Sequence, residues 1–552
     1  MRFSLFIIGI LLITSCARMG TPSGGPKDTE PPKYLNAIPD TMSLFVPVDL
    51  KEIKINFDEY LILKDYNQNI LISPPMEIAP NFLPVGSPAK SISIKLNESL
   101  QPNTTYNINF GNAIQDNNEG NKLPYFQYVF STGEYIDSLK LTGKASVPEL
   151  RKQPENIVAA LYKIDENYKD SLILNQKPFY IAKLEKDGSF KLNYLHEGKY
   201  QLIAFEDKVA NLQFDFGQEK FGFSSEPVEL HENLTQDLVL FNQPPDYKAL
   251  KAEQKGYGHL HFKFQGQPES VEIEPLDFEF STMKTSYEFK SDSLNFWFNP
   301  GIDSIAESSK RFGFLVKNLD RMDTLSVVYS NSVKHNLVLD PKNKLEFSPT
   351  RKVKFTANYP IASLDSALVY VEKDSVQLPV RMILDPKNEN AFTVDFPIDL
   401  GGAYKMEFLP EAVTDFFGKT NDTLRYNFKI KTRNELGNLK LILQNQPEQL
   451  FWIQLMNEKE EILDTQYSKA SVFQYDNLLP GNYYFRILVD ENENGFWEPG
   501  DFFSRKQPEK AYIYPASVNV RALWDAEETW VVIKPEPIVQ NEESPSEEED
   551  SN

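Results

Sequence analysis

The chain has a single cysteine and only five histidines in 552 residues. One cysteine excludes an intramolecular disulfide framework and any multi-cysteine zinc or iron–sulfur centre. The histidines, His196, His231, His259, His261 and His335, are too few for a histidine-rich metal centre. Positive charge is also short: 57 lysines and arginines stand against 79 aspartates and glutamates, a net charge of −22. A surface of that sign repels phosphate backbones, so no nucleic-acid partner is expected. Past the first residues no stretch is apolar enough to cross a membrane as a helix, and long helical periodicity is nearly missing. No Gly-x-Ser-x-Gly, phosphate loop, dinucleotide fingerprint or His-Glu-x-x-His occurs, and the chain is read as non-enzymatic.

What is present begins at the start of the chain. Arg2 is followed by the apolar run Leu5–Ile13 and then Thr14-Ser15-Cys16. A charged start, a short apolar centre and small residues form the pattern of a secretory signal. The only cysteine sits where the apolar run ends, and Ile13-Thr14-Ser15-Cys16 resembles a bacterial lipobox. That resemblance implies a lipoprotein signal peptide over 1–15, cleavage before Cys16 and a lipid anchor on Cys16. A plain secretory signal with an incidental cysteine is the other reading. Each buried CH₂ of an acyl chain contributes about 0.8 kcal/mol, so several chains hold a protein on a membrane. Residues 16–32 are dominated by glycine and proline and read as a flexible tether. Gly24-Gly25-Pro26-Lys27-Asp28 resembles lipoproteins of the Bacteroidetes group, many of which are carried to the outer face. The implied location is the outer membrane, lipid-anchored, with the cell-surface face favoured over the periplasmic one.

The body reads as β throughout. Ile53–Phe57, Ser91–Leu96, Tyr106–Phe110, Leu260–Phe264, Val353–Ala357 and Tyr404–Phe408 alternate polar and apolar residues with period two. Turn clusters such as Ser73-Pro74-Pro75 and Asp340-Pro341-Lys342-Asn343 separate them. Short strands at regular spacing predict an all-β chain of tandem β-sandwiches. The 26 tyrosines and 39 phenylalanines suit half-buried pleated sheets.

Two internal repeats organise the chain. Phe190, Leu195, Gly198, Tyr200 and Asp207 align without gaps to Phe473, Leu478, Gly481, Tyr483 and Asp490. Each set reads as a strand, a turn at the glycine, and a strand opened by a core tyrosine. This Phe-x-x-x-x-Leu-x-x-Gly-x-Tyr form resembles prealbumin-like sandwiches of collagen-adhesin B-type domains, and implies copies at 136–245 and 434–533. Upstream of each, Ala113-Ile-Gln-Asp116 after Tyr106 matches Ala412-Val-Thr-Asp415 after Tyr404. With Leu100-x-Pro-Asn-Thr-Thr-Tyr106 and Phe130-Ser-Thr-Gly133, the first set resembles the bacterial Ig-like domain of S-layer-type proteins. It implies an Ig-like domain at 33–133 and a diverged one at 345–432. Residues 250–344 read as a β-domain of unknown type. The tail, 534–552, carries seven acids against one lysine and reads as disordered.

The richest constellation is the loop from Asp490 to Asp501. Asp490, Asn492, Asn494, the Phe496 carbonyl, Glu498 and Asp501 stand at spacings that wrap oxygens around one point, with Gly495 at the turn. Calcium takes hard oxygens in such loops, and the loop resembles the calcium loops of adhesin B-type domains, which implies a structural Ca²⁺. Aspartate at the last position is shorter than the usual glutamate. A polar turn held by its own hydrogen bonds is the alternative. The matching loop after Asp207 has Val209 where a ligand oxygen is needed, with Lys208 beside it, and reads as degenerate. His259 and His261 share a strand face without a third ligand, and read as sheet histidines. Asp58-Glu59 read as solvated strand-end residues. Phe278, Phe280, Phe296 and Phe298, at spacings of two, read as sheet core.

These readings converge on a lipid-anchored outer-membrane or cell-surface protein acting as a non-enzymatic structural or protein-interaction module. It would have envelope-protein partners and meet the membrane through its anchor. Two alternatives remain at this stage: an accessory lipoprotein subunit of an outer-membrane assembly or transport complex, and a carbohydrate-binding or glycan-processing surface lipoprotein.

Overall fold

The computed structural model describes residues 28–124, 126–303, 305, 309–341, 346–347 and 353–533. The signal segment, Cys16, most of the tether and the acidic tail lie outside these residues. Within them the chain is an all-β succession of sandwiches. No helix among the described residues is long and apolar enough to cross a membrane.

The chain divides into two compact units. Of the described residues, the first holds those up to Ala145 with Asn156–Phe214 and Glu226–Leu238; the second holds Ser146–Glu155, Asp215–Ser225 and those from Val239 onward.

In the first unit the alternation around Ile53 becomes the long strand Glu52–Leu63. It lies between Tyr34–Ile38 and Ala89–Lys95, with Asn81–Leu83 beyond. The strands Leu71–Ser73, Thr105–Asn109 and Gln127–Ser131 form the facing sheet. Ile53 pairs with Ile94 and Ile55 with Ile92, so four branched side chains enter the core together, all fully buried. Each contributes about 1.5–3 kcal/mol relative to exposure. A one-residue slip would turn all of them to water, which fixes the register. Tyr106 stacks on Phe130 across the facing sheet, with ring centroids 5.3 Å apart.

The same unit contains the first copy of the Gly-x-Tyr repeat. Leu139–Ser146 sits between antiparallel Ser189–Leu195 and parallel Leu234–Thr235. A second sheet runs Tyr180–Lys183, Ile157–Lys163, Gly198–Glu206. The close approach of Leu234–Thr235 requires Gly143: a Cβ there would stand 1.9 Å from the Gln236 carbonyl oxygen.

The second unit carries three further cores. One is built from Ala249 to Tyr329, the second from Leu339 to Ile430 and the third from Leu439 to Val532. The first is the segment of unknown type: a four-stranded sheet faces the three strands Val271–Pro275, Lys310–Asn318 and Arg321–Tyr329. Phe296 and Phe298 are fully buried in it; Phe280 packs against both, and Phe278 packs on Phe280 and Phe312. The last core repeats the topology of the first copy. Gly437–Gln444 lies between antiparallel Val472–Leu478 and parallel Asp525–Val531. Its second sheet runs Ile462–Ser468, Phe451–Met456, Gly481–Val489.

The repeated tyrosines anchor their turns in two distinct ways. Tyr106 and Tyr404 accept from the backbone N–H five residues earlier, at Gln101 (2.8 Å) and Asp399 (2.7 Å). Tyr200 and Tyr483 donate to the carbonyl four residues earlier, at His196 (2.9 Å) and Leu479 (2.6 Å).

Candidate functional site

The loop expected to hold calcium follows the strand Gly481–Val489. Asp490 is fully buried. Its Oδ1 accepts from the Asn494 N–H at 3.0 Å, and its Oδ2 from the Gly495 N–H at 2.8 Å and the Tyr467 hydroxyl at 2.6 Å. That last bond pushes the Tyr467 hydroxyl up to about 12. Gly495 takes a left-handed φ of 83°, which glycine adopts without a Cβ clash. Asn492 and Asn494 each accept from the N–H two residues on, at 3.1 and 2.8 Å, a local turn these side chains favour.

The other two carboxylates face elsewhere. Glu498 bonds to Lys506, to Lys290 at 3.0 Å and to Asn492 at 2.7 Å. The Lys506 bond, opposed by partial burial and reinforced by Lys290, holds its carboxyl down at about 2. Asp501 accepts from Gln243 at 2.8 Å and from the Ser504 hydroxyl at 2.6 Å. Phe496 lays its ring on Phe289, centroids 4.6 Å apart. Phe502 is buried between Phe221 and Phe223. Calcium needs six to eight oxygens converging at about 2.3–2.6 Å. Here the three carboxylates serve amides and a phenol, two ammonium groups, and a carboxamide and a hydroxyl. Among the described residues no group of three or more acidic, histidine or cysteine side chains could hold a metal ion. As arranged, all three carboxylates are taken up by protein groups. The loop is closed by protein groups and clasps the neighbouring sandwich through Lys290 and Phe289. Lys290, Lys506 and Glu509 carry no signal at loop spacing. Glu509 accepts the N–H groups of Glu491 and Glu498 at 2.9 and 2.8 Å.

The corresponding loop of the first copy uses its aspartate in the same way. Asp207 Oδ1 accepts from the Asn211 N–H at 3.0 Å, and Oδ2 lies 3.3 Å from the Leu212 N–H. The Ig-like repeat has a parallel. Asp116 accepts the N–H groups of Asn118, Glu119, Gly120 and Asn121 at 2.6–3.0 Å. Burial raises its carboxyl, but those four bonds outweigh it and hold the group below its ordinary value. Asp415 accepts from Phe417 and Lys419, and bonds His335 Nε2 at 2.6 Å.

The remaining candidates occupy structural places. His259 and His261 share one partner, Asn295 Oδ1, at 2.9 and 3.1 Å, and His259 stacks on Trp297. Burial lowers the His259 ring below its ordinary value. Asp58 accepts the Lys33 N–H at 2.8 Å. Burial, with Asp116 next, raises the Glu59 carboxyl.

The first unit also contains a cleft of about 920 Å³ that sequence reading did not find. One wall is the outer face of the Ig-like sheet, with Asn109 and Gln127; the other carries Lys144, Lys183, Lys191 and Asn193. Its residues are scattered from Asn69 to Asp237, so no local pattern announces it.

Residues 28–132 match the bacterial Ig-like domain family, which shows the Ig-like nature of the first sandwich. No curated protein matches the chain. Solved structures similar to it include the major pilin subunit of Bacillus cereus, at 10% identity and TM-score 0.14, covering 72% of this chain and 100% of that one. The Bacillus anthracis TIE protein is similar at 10% identity and TM-score 0.13, covering 93% and 76%. The S-layer protein SbsC is similar at 12% identity and TM-score 0.14, covering 88% and 66%. The sandwich architecture itself is read from the chain's own sheets.

Proposed function

We propose that the protein is a non-enzymatic structural and interaction module of a bacterial cell envelope, held on the outer membrane by lipid on Cys16 and displayed at the cell surface. The observation that carries this reading is the order of parts. A lipobox-like Ile13-Thr14-Ser15-Cys16 and a glycine- and proline-rich stretch lead directly into a bacterial Ig-like domain at 28–132 and a train of further sandwiches. Sandwiches of this kind present loops and sheet faces to partners while their cores stay rigid. The loops here are fixed by buried aspartates rather than left mobile, which suits a spacer that transmits position.

Protease shaving of intact cells, followed by fractionation, tests the reading. Peptides from residues 33–533 are expected in the shaved fraction, and Cys16→Ser is expected to move the chain out of the membrane fraction. A chain protected in intact cells, or one whose membrane association survives Cys16→Ser, would refute the proposed placement.

A further inference from the structure

The cleft of the first unit is unusual for the chemistry it leaves open. The ammonium groups of Lys144, Lys183 and Lys191 line it, yet among the described residues none of the three forms an ion pair or a side-chain hydrogen bond. The carboxamides of Gln127 and Asn193, which also line it, have no side-chain hydrogen-bond partner there either. Lys183, Gln127 and Asn193 are half-buried, whereas Lys144 and Lys191 are exposed; half-buried polar groups in folded proteins are ordinarily satisfied, and a chain of net charge −22 has carboxylates to spare. Two acids share the lining. Asp237 spends Oδ1 on the Lys144 N–H at 2.7 Å, and Glu185 stands exposed at the rim. Lys183 is half-buried; burial lowers its ammonium below the ordinary value and nearby Asp207 partly offsets this.

The volume, about 920 Å³, lies at the upper end of the range of about 300–1,000 Å³ for ligand clefts. An extended peptide would dock by adding a strand to the free edge of Tyr180–Lys183. That edge is stopped at its centre, where the Ile181 N–H already donates to the Ser73 hydroxyl at 3.2 Å. Carboxamides donate and accept at once, which matches sugar hydroxyls, while ammonium groups match carboxylates. We propose that this cleft binds an acidic glycan, a chain of uronic-acid sugars, with Lys144, Lys183 and Lys191 meeting the carboxylates and Gln127 and Asn193 meeting the hydroxyls. The proposal deepens the interaction half of the function above. Shaving reports where the chain sits and titration reports what the cleft holds, so either can fail alone.

The test is calorimetric titration of the full chain with oligogalacturonate, alginate and hyaluronate oligomers, with cellohexaose as neutral glycan and polyglutamate as acidic peptide. At least one uronate oligomer is expected to bind, more weakly as salt is raised. Lys183→Met is expected to weaken binding about tenfold, the effect of losing one charge-assisted contact, and Gln127→Leu several-fold. Lys191→Met, at an exposed position, carries the same test should Lys183→Met fail to fold. No binding by any uronate oligomer, equal binding of cellohexaose or polyglutamate, or wild-type affinity in the folded lysine variants would overturn the proposal.

Discussion

The loops after Asp207 and Asp490 occupy the same place in two copies of one sandwich, and they share the aspartate and the asparagine four residues on, Asn211 and Asn494, but few other side chains. Both aspartates are buried, and both take the backbone N–H groups four and five residues on. The shared aspartate therefore fixes the loop's path by gathering amides, and the shared asparagine takes the N–H two residues on in each copy. The unshared residues decide what the loop touches: after Asp490 they supply Glu498 to Lys290 and Phe496 to Phe289. One loop with many acidic and amide oxygens and one with few thus close by the same device. Ligand-like spacing and loop closure are separate properties.

The comparison can be broken most sharply at its shared aspartate. Asp490→Ala removes an acceptor from two amides and a phenol, and Asp207→Ala removes one from the matching amides. Each should cost about 3 kcal/mol, since a buried donor left without its charged acceptor loses the bond and keeps the desolvation cost. Thermal unfolding with amide exchange at Asn494, Gly495, Asn211 and Leu212 would measure both. A large loss in one copy and none in the other would mean that the two loops are not equivalent.

The next effect is specific to the second loop. With its carboxyl held down at about 2, Glu498 contributes stability that is fully present above the ordinary carboxylate value near 4.5 and is lost as pH falls through about 2. Trp497 donates to the Glu509 carbonyl at 3.1 Å and reports on the loop. Its fluorescence should change between those pH values in the wild type and at a higher pH in Lys290→Met. An acid transition that ignores Lys290→Met would remove the clasp. The tyrosines come third: Tyr200→Phe and Tyr483→Phe should each cost about 1 kcal/mol, the net value of one hydrogen bond, with similar losses in both copies by denaturant titration. The smallest expected effect is calcium itself. Adding it should leave the unfolding of the second copy unchanged, because Glu498 and Asp501 already have protein partners. A calcium-dependent rise in stability, abolished by Asp490→Ala, would show that the ion displaces those partners and binds the loop.

The sequence made legible whatever is decided by near neighbours. Period-two alternation places Ile53, Ile55 and Phe57 in a core strand, and fixed spacings make Tyr200 and Tyr483, or Asp116 and Asp415, equivalent. Contacts between residues far apart in the chain left no such trace. Lys290 and Glu498 lie in different sandwiches, and nothing near either one names the other. Asn492 and Asn494 close a tight turn on neighbouring amides, and the same spacing can bring oxygens around an ion, so the pattern alone does not separate the two. The cleft takes its lysines from three separate strands of one sandwich and Asn109 and Gln127 from the other, so no run of neighbouring residues marks it.

Mass spectrometry of the protein extracted from membranes tests the central claim most directly. The account predicts a mature chain that begins at Cys16 and carries acyl groups on that residue. A mature start elsewhere, or a bare Cys16 thiol in the membrane-derived protein, would contradict it.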